Sequence, residues 1–363
     1  MRVLFCGGGT AGHVTPALAL AEEFKRRYRG CAVAFVGRSG GSESKLVTDA
    51  GYKLYEINIR GFSRKLCTEN LKTLKVYFGA RREAKKIIDE FRPSVVIGTG
   101  GYVSAPIISE AAKRKIFTLI HESNATLGFT TRMLAGKCDR LLLGADIKTR
   151  FKNAEFVGNP VSDRFGAISK HEARLKLGMP SKKRLIISVG GSIGAGKLNE
   201  SVIEFMKTCT SKGTDVYHIH GCGKRFYDEI RAAVPELCSR EGRMRIVPFI
   251  DDMPLYLAAA DILICRCGAM TLAEAARSGC PTLMIPSPNV TNDHQTKNAL
   301  AYAAAGAGIL IEEKDLTPEA LEKIVIPLIK DEGRLTKMGD AARALFKTDP
   351  KGQILDIVEA HFH

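Results

Sequence analysis

His13 closes a glycine-rich turn, Gly7-Gly8-Gly9-Thr10-Ala11-Gly12-His13, between the apolar run Val3-Leu4-Phe5-Cys6 and a helix-compatible stretch. A helix start holds an imidazole toward its neutral, basic form, which suits a general base. Glu122, in the turn His121-Glu122-Ser123-Asn124, is a second candidate for the same task. Glu274 lies in Leu272-Ala273-Glu274-Ala275-Ala276, also helix-compatible, where a carboxylate is a natural bidentate acceptor for a cis-diol.

Two more glycine turns follow apolar runs: Gly190-Gly191-Ser192-Ile193-Gly194-Ala195-Gly196 and Gly98-Thr99-Gly100-Gly101-Tyr102. Such turns offer backbone N–H groups at a helix start with no Cβ to block a phosphate or a sugar. Tight strand-to-helix packing is the competing reason for any one of them. Two familiar motifs mislead here. Gly7-x-Gly9-x-x-Gly12 fits the dinucleotide fingerprint, but the next strand ends Val36-Gly37-Arg38 instead of in the acid that would bind a ribose. A nicotinamide dehydrogenase is disfavoured, although Arg38 leaves an opening for a 2′-phosphate. Gly191 to Lys197 has the Walker spacing, but Leu198 follows where a magnesium-binding hydroxyl is needed.

Positioning these turns requires alternating strands and helices. A helix is predicted from Pro16 to Tyr28, and strands at 31–36, 93–101, 116–122, 140–144 and 156–160. A second series of strands is expected at 184–189, 215–219, 244–248, 261–265, 281–285 and 308–311. The alternation implies parallel sheets, and 363 residues fit two domains of roughly 150–180 residues each. The expected fold is therefore α/β, with two Rossmann-like domains facing a cleft. Residues 1–161 would form the first domain and 162–345 the second, with 346–363 a last helix that crosses back to the first.

The net charge of +15 points to anionic partners: phosphates, acidic membrane surfaces or nucleic acid. Ten cysteines occur without a C-x-x-C pair, and Cys265 and Cys267 are too close for an ordinary zinc half-site, so reduced thiols in a cytosolic protein are expected. No stretch of about 18 apolar residues is present, which argues against a membrane span.

Arg64 to Lys86 interleaves cations with apolar residues. Leu71, Leu74 and Phe78 fall on one helical face, with Lys72, Lys75, Arg81 and Arg82 beside them. Either this is a half-buried helix with a solvated basic side or it is a membrane-docking patch. Docking is energetically plausible, with about 1 kcal/mol per cation near an anionic leaflet and ~1.5–3 kcal/mol per buried large apolar side chain.

In order along the chain, Gly8-Gly9-Thr10-Ala11-Gly12-His13, GTGGYVSAP at 98–106, HESNATLG at 121–128, GNPV at 158–161, GGSIGA at 190–195, FIDDM at 249–253, CRCGAMTLAE at 265–274 and PSPNVTNDHQTKNA at 286–299 together resemble the MurG family. The resemblance covers about 300 residues in colinear order. It implies a glycosyltransferase-B architecture and inverting transfer of N-acetylglucosamine from UDP-N-acetylglucosamine to undecaprenyl-pyrophosphoryl-muramoyl-pentapeptide. The acceptor would meet the first domain, at Gly100, Gly101 and Tyr102, and the nucleotide sugar mainly the second.

By the same resemblance Ile250 would present its backbone to the uracil, Glu274 would hold the ribose hydroxyls and Ser192 would touch the diphosphate. Asn124, Ala269 and Gln295 would meet the sugar, and Thr10, Ala11, Gly12, His13, Ser162, Arg164, Met253 and Met270 complete the implied substrate-binding set. His13 would take the acceptor proton, with Glu122 the alternative. No cofactor or metal is implied, and the chain contains no D-x-D triplet. The implied setting is peripheral, on the cytoplasmic face of the membrane, with an anionic lipid surface and other cell-wall or division proteins as partners and no nucleic acid.

The chain departs from the family pattern in three places. Ser162 follows G-N-P-V where Arg is common, with Arg164 two residues on; Ile193 replaces a frequent Gln; and Cys267-Gly268-Ala269-Met270 replaces Ser-Gly-Ala-Leu. Another glycosyltransferase-B enzyme acting on diacylglycerol would share the donor features. A non-catalytic nucleotide- or nucleic-acid-binding protein would rely on charge alone.

Overall fold

The computed structural model describes residues 1–41, 43–60, 69–191, 194–239, 242–346 and 349–363, apart from the side chains of 69–75 and 291. The chain divides into two compact units, Met1–Ser162 with Thr348–His363, and Asp163–Lys347.

The first unit alternates β1 (Arg2–Gly7), α1 (Ala11–Arg27), β2 (Ala32–Arg38), α2 (Glu43–Asp49), β3 (Lys53–Ile57), α3 (Glu69–Phe91), β4 (Val95–Gly100), α4 (Ser104–Lys113), β5 (Phe117–Glu122), α5 (Phe129–Leu134), β6 (Arg140–Leu143) and β7 (Ala154–Phe156). The strands form one parallel sheet of order β3-β2-β1-β4-β5-β6-β7. Val3 pairs with Val33 on one side and with Val95 on the other. Covered on both faces, the inner strands read as continuous apolar runs instead of alternating ones. Leu4, Cys6, Val96 and Ile120 pack with α3, α4 and α5, while Val3, Phe5, Ile97 and Leu119 pack with α1 and α2.

Helix α1 begins at Ala11, five residues before the predicted start. Thr10 is extended (φ −152°) and sets the first helical residue, so buried Pro16 falls inside the helix and His13 in its first turn.

The second unit runs α6 (Lys170–Lys176), β8 (Arg184–Val189), α7 (Gly196–Ser211), β9 (Val216–Gly221), α8 (Lys224–Ala233), β10 (Met244–Val247), α9 (Met253–Ala259), β11 (Ile262–Cys265), α10 (Ala269–Ser278), β12 (Thr282–Met284), α11 (His294–Ala304), β13 (Gly308–Leu310), α12 (Pro318–Lys330) and α13 (Glu332–Leu345). Its parallel sheet has the order β10-β9-β8-β11-β12-β13, the same winding as the first. At the entry of β11 a fully buried Asp261 accepts from Lys170 (2.6 Å), Arg174 (2.7 Å), Arg184 (3.2 Å) and the Leu185 N–H (2.7 Å). One carboxylate thereby binds α6 to the starts of β8 and β11.

The last helix, α14 (Pro350–Phe362), belongs to the first unit. Ile354, Leu355 and Val358 are completely buried in the α1 face of its core. Arg27 bonds Asp356 at 2.5 Å and the Tyr28 hydroxyl donates to Glu359 at 2.5 Å.

In each sheet the winding direction reverses between two central strands, β1 and β4 or β8 and β11. In open parallel sheets ligands bind beyond the carboxyl ends of such a pair. The glycine turns at 7–13 and 98–102 follow β1 and β4; those at 190–196 and 266–270 follow β8 and β11.

Candidate active site

The first unit builds its part around one imidazole. His13 Nδ1 lies 3.0 Å from the Gly8 carbonyl oxygen and 3.2 Å from Thr10 Oγ1. A carbonyl only accepts, so Nδ1 carries a proton. The ring is seated on Gly100 and Gly101. A Cβ on Gly100 would lie 2.6 Å from His13 Cδ2, and one on Gly101 would lie 2.2 Å from the Gly8 oxygen; both glycines also have positive φ, 109° and 77°. The Thr99 hydroxyl donates to the His13 carbonyl at 2.6 Å. Tyr102 packs over Gly9, where a Cβ would lie 3.4 Å from its ring. Thr10, Ala11, Gly12, His13, Gly100, Gly101 and Tyr102 thus form one cluster.

Buried Glu43 organises the same turn and has no counterpart in the sequence reading. Its carboxylate accepts from the Arg38 N–H (2.7 Å) and the Gly9 N–H (3.3 Å), filling the space beside Gly8 and Gly37. Side-chain oxygen already satisfies an amide that a nucleotide phosphate would need.

Glu122 ends β5 and receives four hydrogen bonds: from the Asn124 N–H (3.2 Å), Asn124 Nδ2 (2.9 Å), the Gly128 N–H (2.8 Å) and Thr131 Oγ1 (2.7 Å). Its lone pairs are committed to shaping the loop that presents Asn124. The carboxylate braces the loop that leads from β5 into α5. Buried His121 reinforces the loop, with Nε2–H donating to the Gly158 carbonyl at 3.0 Å. Burial lowers its pKa. Asn159 Nδ2 donates to the Ser123 carbonyl at 3.1 Å.

In the second unit the glycine turn after β8 leads into α7, whose preceding residue, Ala195, supplies no side-chain cap. Ser192 and Ile193 lie outside the described residues. Gly194 (φ 85°) is pressed so closely on the end of β9 that a Cβ would lie 2.3 Å from the Cys222 oxygen. Beneath it runs a buried polar chain. Asn199 Nδ2 donates to that same oxygen at 3.0 Å, so Asn199 Oδ1 must accept from His220 Nε2–H at 3.1 Å. His220 Nδ1 then accepts from the Ser188 hydroxyl (2.8 Å), which in turn accepts from His218 Nε2–H (2.7 Å). Every proton in the chain is thereby placed. Burial pushes His220 down to about 4 and His218 well below its ordinary value, so both rings are neutral.

The remaining candidates of this unit gather beyond the carboxyl ends of β10, β11 and β12 in the same sheet. Gln295 Oε1 accepts from the Cys267 N–H (3.2 Å) and the Ser287 N–H (2.9 Å), joining the turns after β11 and β12. Ala269 opens α10, whose first amides carry the positive end of a helix dipole. The Met270 side chain is buried in the core, which leaves its backbone to face the end of the strand. Half-buried Glu274 lies one turn on, and burial raises its pKa to about 8. Buried Ile250 packs against Gly221 at the end of β9. Asp252 caps α9, which starts at Met253, and accepts from Arg164 at 3.0 Å, so that cation braces the Ile250 loop. Ser162 ends the first unit.

Of the basic patch, the side chains of Leu71, Lys72, Leu74 and Lys75 lie outside the described residues, though their backbone belongs to α3. Phe78 on that helix is 54% exposed, with Arg81 half-buried and Arg82 exposed. No described helix is long and apolar enough to cross a membrane.

Residues 3–143 match the glycosyltransferase family 28 N-terminal domain and residues 185–354 its C-terminal domain. A protein of Acetivibrio thermocellus is 38% identical over 99% of this chain and 98% of its own; it is a UDP-N-acetylglucosamine--N-acetylmuramyl-(pentapeptide) pyrophosphoryl-undecaprenol N-acetylglucosamine transferase. One of the same name from Thermoanaerobacter pseudethanolicus is 40% identical, covering 99% of this chain and all of its own. Among solved structures, MurG of Acinetobacter baumannii is 30% identical, with a TM-score of 0.73 over 99% of both chains.

Proposed function

The chain belongs to glycosyltransferase family 28, and from that premise we propose how its residues divide the work of the reaction. The protein is an N-acetylglucosaminyltransferase of glycosyltransferase-B architecture. It moves N-acetylglucosamine from UDP-N-acetylglucosamine to the muramyl-(pentapeptide) pyrophosphoryl-undecaprenol acceptor in peptidoglycan synthesis.

In this proposal the acceptor hydroxyl gives its proton to His13 Nε2 as its oxygen bonds to the anomeric carbon. The bond from that carbon to the diphosphate breaks at the opposite face, inverting the centre, and UDP leaves with the electron pair. Backbone N–H groups at the start of α7 and α10 meet the charge that develops on the diphosphate. Glu274 accepts from the ribose hydroxyls, the Ile250 backbone faces the uracil, and Asn124 and Gln295 orient the sugar. Catalysis on this reading needs no metal ion. The acceptor is met at the cytoplasmic face of the membrane, where the enzyme is peripheral.

The observation that supports His13 as base is the bond from its Nδ1–H to the Gly8 carbonyl, which directs the other ring nitrogen, Nε2, to the proton transfer in this reading. The test is UDP release with and without a short-chain acceptor analogue, in wild type and His13→Ala. Acceptor-dependent release lost in the variant while UDP binding persists supports His13. A variant that keeps its rate removes His13 from the role.

A further inference from the structure

Beneath the glycine turn of the second unit, polar side chains occupy places that the surrounding core fills with residues such as Ile186, Val202, Phe205 and Ile264. Ser188, His218 and His220 are wholly buried and Asn199 is nearly so. Such a network adds little net stability over an apolar core of the same shape, but its bonds admit a single arrangement. Its direction is dictated from one end. The Cys222 carbonyl only accepts, so Asn199 donates to it, and the bonds through His220 and Ser188 follow in order as far as His218 Nε2–H. At the other end the buried His218 Nδ1 meets no polar partner. The network therefore delivers its constraint at one place, the Cys222 oxygen.

Cys222 is also where two parts of this unit's site meet. Gly194 of the turn is pressed against its oxygen. Its N–H donates to the Val247 carbonyl at 3.0 Å, at the end of β10, and its neighbour Gly221 packs against Ile250 in the loop that follows. Asn199 stands one turn into α7, its own N–H bonded to the Ala195 carbonyl at 2.9 Å. A shift of the bond from Asn199 to Cys222 would thus move the start of α7 relative to the Ile250 loop.

We propose that His220 is a positioning residue for the donor: through Asn199 and Cys222 it fixes the spacing between the glycine turn and the Ile250 loop, and with it the span that a uridine diphosphate must bridge. The inference rests on the reading of the second unit as the UDP-binding half. A ligand that reaches from the loop to the turn depends on that spacing. Uridine, which lacks the diphosphate, does not.

The test uses the full chain with His220→Leu, which removes both bonds of the ring, and His220→Gln, whose amide N–H can still donate to Asn199. Ser188→Ala removes only the donor to His220 Nδ1 and decides the matter should His220→Leu not fold. UDP and uridine affinities are read by competition binding, KM and kcat with a short-chain acceptor, and backbone amide exchange over Gly194 to Leu198 by mass spectrometry. His220→Leu is expected to bind UDP roughly tenfold more weakly and to raise KM for UDP-N-acetylglucosamine in step, with uridine affinity, acceptor KM and kcat within about twofold of wild type. Its amides over Gly194 to Leu198 should exchange faster. His220→Gln should return UDP affinity to within about threefold, and Ser188→Ala should weaken it by about threefold. Equal losses of UDP and uridine affinity in His220→Leu would mark a general loss of structure and overturn the positioning role. So would a Gln variant no better than the Leu variant, or UDP affinity unchanged in Ser188→Ala and His220→Leu alike. Were wild type to bind no UDP, the donor reading would fail, while amide exchange over Gly194 to Leu198 would still decide whether His220 holds the turn.

Discussion

His13 is held by groups that do not themselves react, so its neighbours should be nearly as sensitive as the ring. His13→Ala is expected to lower kcat by about 10²–10⁴-fold, the span of a lost general base, with UDP affinity intact by calorimetry. Gly100→Ala should cause a comparable loss, because its Cβ would strike the imidazole and its φ of 109° is strained for alanine. Glu274 makes a prediction of opposite sign for stability and binding. Its pKa rises by burial from the ordinary 4.5 to about 8, so the folded chain retains a proton across that window which the unfolded chain releases. Stability from this group is full below the lower value and declines as pH climbs to the upper one. Glu274→Gln should therefore raise the melting temperature at pH 8–9, leave it unchanged near pH 4, and weaken UDP binding by roughly tenfold. A variant equally stable to wild type at pH 9 would remove the burial argument. The types of these residues are legible in the sequence, but their settings are less so. Met270 lies in the right motif yet faces the core. Glu43 is invisible because its partners come from Gly9 and Arg38, on different segments.

Among the elements, the anchoring of β8 and β11 to α6 rests on a single buried acid. Although burial alone would raise the pKa of Asp261, the charge and hydrogen bond of Lys170, the Leu185 N–H and Arg174 outweigh it and hold the carboxyl below its ordinary value. The stabilisation is present at neutral pH and disappears as pH falls through that depressed value. Asp261→Asn should destabilise the protein by about 3–5 kcal/mol at pH 7 by urea unfolding, since it strands buried Arg174, and the gap from wild type should narrow in acid. A gap constant with pH would contradict this. Most strands could be read from their apolar runs, because a sheet covered on both faces admits little else. Strand β3, Lys53-Leu-Tyr-Glu-Ile57, is an edge strand mixed in polarity and carries no such run. The buried chain through Ser188, His218 and His220 left one signal, a His-x-His pair in a strand. What identifies it is parallel register, Ser188 opposite His220, which is a property of the assembled sheet.

At the scale of the whole molecule, the first unit is made from both ends of the chain. Removing residues 348–363 would expose the core around Ile354, Leu355 and Val358, each fully buried. At ~1.5–3 kcal/mol for each such side chain, the truncated protein should lose several kcal/mol. Limited proteolysis should then cut within 1–162 while 163–346 persists, and a separate 348–363 peptide should restore protection. A truncated chain as resistant as the full one would show that α14 is dispensable. The same arrangement bears on synthesis. A ribosome emits residues 1–162 first, but those residues wait, with the α1 face of their core incomplete, until all of 163–349 has been translated and α14 follows. The second unit is contiguous and can fold as it emerges. For this chain the order of translation and the order of completion are therefore reversed: the half that is made first is the half whose core closes last.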